Sequence, residues 1–400
     1  MAYLPLANLM HHKLRSALSA AGIGIGICML LTLSGLSRGS LNEVADRWET
    51  VDADLIVYPR GWGNNVTTLS GIGLSDRYAQ RVREEYGRLV AEAVPVFLWQ
   101  MRLAEQDHMA VGVDPGQWHV LTGGRTLSAG RLFDPNGAFS AWLERKLQSP
   151  ADDEEAIEIT SEELRARGGL ELVIDDRLAA KGRLRVNDEV NTANHRWRIV
   201  GIVPSGAMAR VFMPRRTAQF LFGSGSLAKS TLMFVKLKDG LDLNDAARQL
   251  GGMGQEVIQL RQYRTMLRQK FSIMYYYVDA VNAVAMIIAF LFIMVTLYTM
   301  VLQRTREIAM LKSFGASAGY ILRGVLAESM IMTAAGTAVG LALSLVAGWL
   351  IQSMTLYTVT ITWEWIAVAV AAAAIGALAA GLYPAWRAIR VDMVQALTFE

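Results

Sequence analysis

Residues Ala17–Leu36 read ALSAAGIGIGICMLLTLSGL, without one charged side chain. A hydrocarbon core of roughly 30 Å needs about 20 apolar residues in helical form, so this stretch is long enough to cross a membrane. Basic residues precede it, as in a signal peptide. Its apolar run is longer than a signal core, however, and no convincing small-x-small cleavage site precedes Arg38. It is read as a retained helix. Three more runs have the same character: Val278–Leu302, Val325–Ile351 and Trp363–Trp386, with no proline until Pro384. The pattern predicts a membrane α-helical protein with four transmembrane helices and a large α+β extracytoplasmic domain between the first and second.

Composition alone would not decide this. The chain has 400 residues, 52% hydrophobic and 19% charged, with a mean hydropathy of +0.27, values that a soluble protein with a large core also reaches. The distribution decides, because charges are dense from Arg38 to Lys270 and nearly vanish on either side. A formal charge of +3, with no basic patch interleaved with aromatics, argues against a nucleic-acid partner. The single cysteine, Cys28, lies in the first apolar run and excludes an intrachain disulfide.

Lysine and arginine in short flanks set the orientation. Lys13 and Arg15 precede the first span, Arg304, Arg306, Lys312 and Arg323 fill the loop after the second, and Arg387 and Arg390 follow the fourth. The loop 352–362 has none. Both termini and the 303–324 loop are therefore expected in the cytoplasm. Tyr275, Tyr276, Tyr277, Trp363 and Trp365 mark the outer interface, and Tyr383 and Trp386 the inner one. The expected divisions are a cytoplasmic segment 1–16, spans 17–37, 278–302, 325–351 and 363–386, an outer domain 38–277, a short outer loop 352–362 and a cytoplasmic tail 387–400.

Within the outer domain, Asp54–Tyr58, Leu170–Ile174 and Trp197–Val203 read as strands, Ser75–Tyr86 as a helix opened by a serine cap, and Leu241–Leu250 as another helix. Strands interleaved with helices suggest an α+β domain. Pro150–Gly169, rich in Asp and Glu, reads as an acidic solvated insertion.

Catalytic constellations are absent: there is no G-x-S-x-G elbow and no H-E-x-x-H helix. His108, His119 and His195 are scattered singly and read as surface or packed histidines, and Asp175-Asp176 as a turn after a strand. The Gly22-x-Gly24-x-Gly26 run lies within a span, where Gly22 and Gly26, like Gly336 and Gly340 in the third span, are read as helix-packing positions. No Gly-Lys dipeptide occurs, hence no phosphate cradle of the P-loop type. Catalytic and metal residues are expected to be none, and no cofactor is expected on this chain.

The loop Arg304-Thr-Arg-Glu-Ile-Ala-Met-Leu-Lys-Ser-Phe-Gly-Ala-Ser317 resembles the "REI..L+..GAS" element of the MacB/FtsX/LolC-type (type VII) ABC permeases. The tail Tyr383-Pro-Ala-Trp-Arg-Ala-Ile-Arg-Val-Asp-Met-Val-Gln-Ala-Leu397 resembles that family's closing "YPAWRAARLDPVEALR", with Met393 where proline is usual. Leu172–Val190, running into Arg198–Val203, is similar to the family's periplasmic core. The resemblance implies a stand-alone permease in a bacterial inner membrane, working as a homodimer or beside a similar subunit. ATP and Mg would be bound by a separate cytoplasmic ABC ATPase, and a periplasmic adaptor and outer-membrane channel are candidate partners besides membrane lipid. It also implies an ATPase-coupling helix made of Arg304, Arg306, Glu307, Ile308, Met310, Leu311, Lys312, Phe314, Gly315 and Ser317. The spacing agrees: Ile308, Leu311 and Phe314 recur at three-residue steps and Met310 and Phe314 at four, Gly315 can stop a helix, and Ser317 can cap the next.

Two functions fit that resemblance. One is an export or extraction subunit for a lipid, lipoprotein, glycolipid or drug, driven by mechanotransmission. The other is a non-transporting, FtsX-like transmitter to cell-wall hydrolases, which a smaller outer domain would favour. Glu328, about one turn inside the third span, is the intramembrane candidate, expected to face other helices and to pair with a group such as Arg323.

Overall fold

In the computed structural model, residues 13–60, 73–148, 159–223, 227, 229–303, 310 and 314–389 are described. The chain divides into two units, Asn42–Gln269 and the helical remainder, Met1–Leu41 with Lys270–Glu400.

The first unit is α+β. Its centre is the strand Val90–Leu103, VAEAVPVFLWQMRL, longer than most. Its first half pairs antiparallel with Leu232–Leu237 and its second half with Gln106–Val113. The full sheet of ten strands runs Glu256–Gln259, Leu55–Tyr58, Leu232–Leu237, Val90–Leu103, Gln106–Val113, Val211–Pro214, Glu171–Asp175, His195–Val203, Ala129–Gly130, with Glu189–Thr192 hairpinned onto His195–Val203. The three expected strands are present. The expected helices run Asp76–Glu85, capped by Ser75 accepting from the Arg77 amide, and Leu243–Gly251, capped by Asp242 accepting from the Asn244 amide. Their apolar faces cover one end of the sheet, where Tyr78, Val82, Ala246 and Leu250 pack on Leu55, Val57 and Met233. Burial on this scale supplies the main stabilisation, about 1.5–3 kcal/mol per large aliphatic side chain.

Asp175 departs from expectation. It ends the strand Glu171–Asp175 and caps the helix Asp176–Gly182, accepting from the Leu178 amide at 2.7 Å, so the pair is a strand-to-helix junction and not a simple turn. It is 0% exposed, and its other oxygen meets Arg47 at 3.0 Å and Arg210 at 3.4 Å. Glu43 closes the cluster, accepting from Arg210 at 2.7 Å and from Arg47 Nε at 3.1 Å, while Arg47 also donates to the Ala207 carbonyl at 3.1 Å. Glu43 and Arg47 belong to the helix Lys13–Glu49. The last two turns of that helix are thus tied into the sheet by buried, mutually satisfied charges. On the same turns Trp48 stacks on Tyr263 with ring centroids 4.3 Å apart, and Arg264 reaches Asp46 and Glu49.

A second buried cation, Arg215, sits between Asp76 at 2.5 Å and Asp114 at 2.7 Å. Burial alone would raise the Asp76 carboxyl, but Arg215 beside it and donation from Ser230 and Gln219 hold it below the ordinary value. Its contribution to stability is therefore complete above the unfolded carboxylate pKa of about 4 and is lost as pH falls through the lower folded value. Thermal melts of the purified chain between neutral and acid pH should show a loss that Asp76→Asn flattens.

Of the acidic insertion, 150–158 lies outside the described residues. Ser161–Ala166 is a helix capped by Thr160, with Leu164 buried and Glu163 bonded to Lys146 at 2.7 Å, so this part is a packed element. The histidines serve local structure. His108 is buried against the Leu103 carbonyl at 3.1 Å, with desolvation lowering its pKa; His119 faces Glu92, and His195 faces Ser161. Among the described residues no cluster suited to a metal occurs.

The helical unit contains the start of Lys13–Glu49, the first helix, then Ser272–Gln303, the second, Ala318–Met354, the third, and Trp363–Ile389, the fourth. Ala20–Glu49, Ala318–Met354 and Trp363–Tyr383 are each long and apolar enough to cross a membrane; a fourth qualifies if the broken pair Leu260–Lys270 and Ser272–Ile288 is one span. The helices extend past the expected spans because their ends carry on as polar turns, as Arg38–Glu49 does in the first.

Candidate functional site

The site residues expected from the sequence lie in the helical unit, and they begin at the turn that leads into Ala318–Met354. Residues 304–309 and 311–313 lie outside the described residues, so Arg304, Arg306, Glu307, Ile308, Leu311 and Lys312 are not placed. What is placed has a distinct form. The Phe314 amide donates to the Met310 carbonyl at 3.1 Å, one α-helical turn, which puts both side chains on one face. Gly315 follows at φ +88°, a left-handed conformation that stops the helix where a side chain would be strained. Ser317 then caps Ala318–Met354, accepting from the Tyr320 amide at 3.2 Å. The result is a blunt turn that presents Phe314 with 87% of its surface exposed, beside Met310. An exposed aromatic next to a left-handed glycine turn resembles the anchor residues of protein interfaces.

Small residues bring the first and third helices together. A Cβ on Gly340 would stand 2.7 Å from the Gly24 carbonyl oxygen and 2.9 Å from the Ile27 Cβ; one on Gly336 would stand 2.7 Å from the Ile23 Cβ. Gly24 is therefore the glycine that meets Gly336 and Gly340. Gly26 is buried and Gly22 half-buried, about 160–200° around the helix from Gly24 at 100° per residue. Four residues apart, Gly35 and Gly39 do the same for the loop after the third helix: the Thr360 amide donates to the Gly35 carbonyl at 3.1 Å, and a Cβ on Gly39 would lie 2.4 Å from the Thr358 oxygen. That small-xxx-small spacing was a readable signal, and sequence reasoning passed over it. Gly340→Leu should separate the first and third helices. In detergent we expect loss of the monodisperse species on gel filtration, while Ala342→Leu, at an exposed position outside this contact, should leave it intact.

Glu328 is 6% exposed and lies on the buried face of the third helix with Val325, Ser329 and Met332, so it faces neighbouring helices. Ser329, beside it, donates to the Ala377 carbonyl of the fourth helix at 2.9 Å. Arg323 is exposed, and five residues of helix place it about 140° away, so the two project from different faces. Tyr383, in the tail motif, stacks on Tyr298 with centroids 6.0 Å apart; residues 390–400 of that motif lie outside the described residues.

Comparison with known proteins gives these features a context. Residues 16–252 match the MacB-like periplasmic core domain and residues 280–393 the FtsX-like permease C-terminal domain. The macrolide export ATP-binding/permease protein MacB of Mannheimia succiniciproducens is 22% identical over 99% of this chain and 60% of its own length. MacB of Bartonella quintana is 23% identical over 97% of this chain and 57% of its own. The ABC transporter permease YknZ of Bacillus subtilis is 20% identical over 99% of this chain and 98% of its own. The chain spans about three fifths of the length of the MacB relatives it matches. With both domains matched in order along one multi-pass chain, this protein belongs to the MacB/FtsX family of ABC transporter permeases.

Proposed function

We propose that this chain is the non-catalytic membrane subunit of an ATP-driven exporter or extractor in a bacterial cytoplasmic membrane, acting on a hydrophobic or amphiphilic substrate. It works as a homodimer or beside a similar permease, with both termini in the cytoplasm, and a separate ABC ATPase binds the ATP and Mg. The observation that carries this reading is the exposed Phe314 on its Gly315-stopped turn. Seated in a groove of the ATPase, that turn would convert nucleotide-driven closure into displacement of the third helix.

The rest of the chain suits mechanical work. Gly24 packed against Gly336 and Gly340 passes displacement from the third helix to the first. The first helix continues unbroken to Glu49, where Arg47 is locked to Asp175. The MacB relatives are named for macrolide export, which makes a hydrophobic drug one candidate cargo beside lipid, lipoprotein and glycolipid. A periplasmic adaptor and an outer-membrane channel are candidate partners. Affinity purification of the full chain from its native membrane is expected to bring down an ABC ATPase in near-equal amount. A chain that purifies with none, under conditions that keep the permease dimer intact, contradicts the reading.

A further inference from the structure

We propose that a cavity in the outer domain, between the tips of two hairpins, binds a monoanionic amphiphile: an apolar body carrying one carboxylate or phosphate. The cavity has a volume of about 900 Å³ and lies wholly within Asn42–Gln269, a size typical of small-molecule sites. One wall is the turn between Val90–Leu103 and Gln106–Val113, the other the turn between Glu189–Thr192 and His195–Val203. Both turns are two residues long, and all four residues have positive φ: Ala104 at 46°, Glu105 at 61°, Ala193 at 49° and Asn194 at 61°. Such turns ordinarily use Asn-Gly, because other side chains are strained there. Arg183, at φ 51°, borders the same cavity between Gly182 and Leu184. Five of the seven non-glycine residues with positive φ among the described residues therefore surround one cavity. Strain of this kind concentrates where a ligand is clamped.

The walls are braced. Thr192 Oγ1 donates to the Arg102 carbonyl at 2.7 Å and so joins the two hairpins, and the fully buried Trp197 donates from Nε1 to the Thr192 carbonyl at 3.1 Å. His195 meets Ser161 at 2.9 Å, and burial lowers its pKa, so it lines the cavity as a neutral ring at neutral pH. The charged residues of the lining are Arg102, Arg196 and Glu105. Arg102 is exposed and enters no ion pair among the described residues. Arg196 reaches Glu189 at 3.7 Å, but that carboxylate is shared with Arg165 and Arg198. Glu105 balances one of the two lining guanidiniums, and the other matches a ligand with a single negative charge. Guanidiniums pair strongly with carboxylate and phosphate oxygens, and Asn191, directly across the hairpin from Arg196, adds an amide to the same lining. Leu103, Leu184 and Val190 give the body of the ligand an apolar surface. A cationic amphiphile would face two guanidiniums, and a neutral one would leave them unanswered. The cavity names a headgroup charge for the amphiphile of the proposed function and rests on that reading for its use, but binding itself needs no ATPase.

The test uses the purified full chain in phosphatidylcholine nanodiscs and dodecanoate carrying a photoactivatable diazirine on its chain. The same chain ending in an alcohol or a trimethylammonium serves for comparison. Cross-linked peptides covering 102–105 and 190–196 are quantified by mass spectrometry against labelling of Ala318–Met354 in the same sample. The carboxylate probe should label the two hairpin tips about tenfold more than the alcohol, the ratio that one charge-assisted bond supplies. Arg102→Gln with Arg196→Gln, both at exposed positions, should bring that ratio to near unity with the apparent Tm unchanged. Arg102→Gln alone should cut it about threefold, half of that free energy. Arg145→Gln, an exposed arginine outside the cavity, should leave it intact. Competition by octanoate assigns the site to free carboxylates, and competition by octyl phosphate assigns it to phosphate headgroups; competition by neither overturns the proposal. Equal labelling by carboxylate and alcohol, stronger labelling by the ammonium, or a preference that survives the double variant also overturns it. Phe314→Asp should keep the preference even where it loses the ATPase, so failure of the coupling reading leaves this result standing.

Discussion

Replacing Phe314 by Asp should uncouple this protein from the ATPase proposed as its partner. Phe314 has 87% of its surface in solvent, one helical turn after Met310, on a segment stopped by Gly315. It contributes little to the permease's own packing, so the substitution should leave folding and the apparent Tm unchanged. In a complex the ring would fill an apolar groove, and aromatic anchors of this kind carry about 2–4 kcal/mol each. The ATPase should then bind at least about thirtyfold more weakly, and permease-stimulated ATP turnover should fall to the level of the free ATPase. Phe314→Leu, which keeps an apolar knob, should retain most of the coupling. Undiminished binding and turnover in Phe314→Asp would mean that the turn lies on lipid headgroups instead.

The second large effect belongs to Arg47. Its guanidinium bonds Asp175, Glu43 and the Ala207 carbonyl while only 7% of the residue is exposed. Arg47→Met removes a buried cation and leaves the Asp175 carboxylate, 0% exposed, with Arg210 as its remaining guanidinium partner. Breaking a buried pair from one side typically costs about 3–5 kcal/mol, against a total of about 5–15 kcal/mol for a domain. For a unit of this size the melting temperature should drop by roughly 6–20 °C, read by tryptophan fluorescence of the full chain in detergent. Arg47→Lys keeps the charge but loses the fork that reaches three acceptors, and should fall between. At temperatures where Arg47→Met is folded, the ATPase should still bind, because Phe314 is untouched. Transport per ATP hydrolysed should drop, since the first helix would lose its direct tie to Asp175 at the strand end while keeping those through Glu43, Trp48 and Arg264.

Much of this was legible in the sequence, and the limits have physical causes. The apolar runs, the Ser75 cap and the Gly315–Ser317 stop and restart were readable because each depends on residues a few positions apart. The strand Val90–Leu103 was missed. It is buried for most of its length, so it shows no alternation, and Pro95 inside it argues against a central strand. Arg47 was missed because Arg38–Glu49 looks like a solvated helix; only the fold brings Asp175 to it across 128 positions. The run Gly22-x-Gly24-x-Gly26 reads as helix-packing in the sequence, and of its glycines Gly24 is the one that meets Gly336 and Gly340. Spacing alone names the two faces of such a run without saying which partner each one meets. The same holds for Ser34 and Asn282, ordinary polar residues in an apolar run until the second helix is laid beside the first.

The central claim is that ATP turnover in the proposed partner ATPase, received at the Phe314 turn, moves the outer domain through a continuous first helix. Its most direct test is a distance measured between copies in the reconstituted complex. Spin labels at Gly116→Cys, an exposed position with open space around it, on a Cys28→Ser background would report the separation of the two outer domains. The account predicts that this separation differs between nucleotide-free and ATP-bound complexes, that Phe314→Asp abolishes the difference, and that Arg47→Met reduces it. A separation that stays fixed while ATP is hydrolysed at full rate would contradict it.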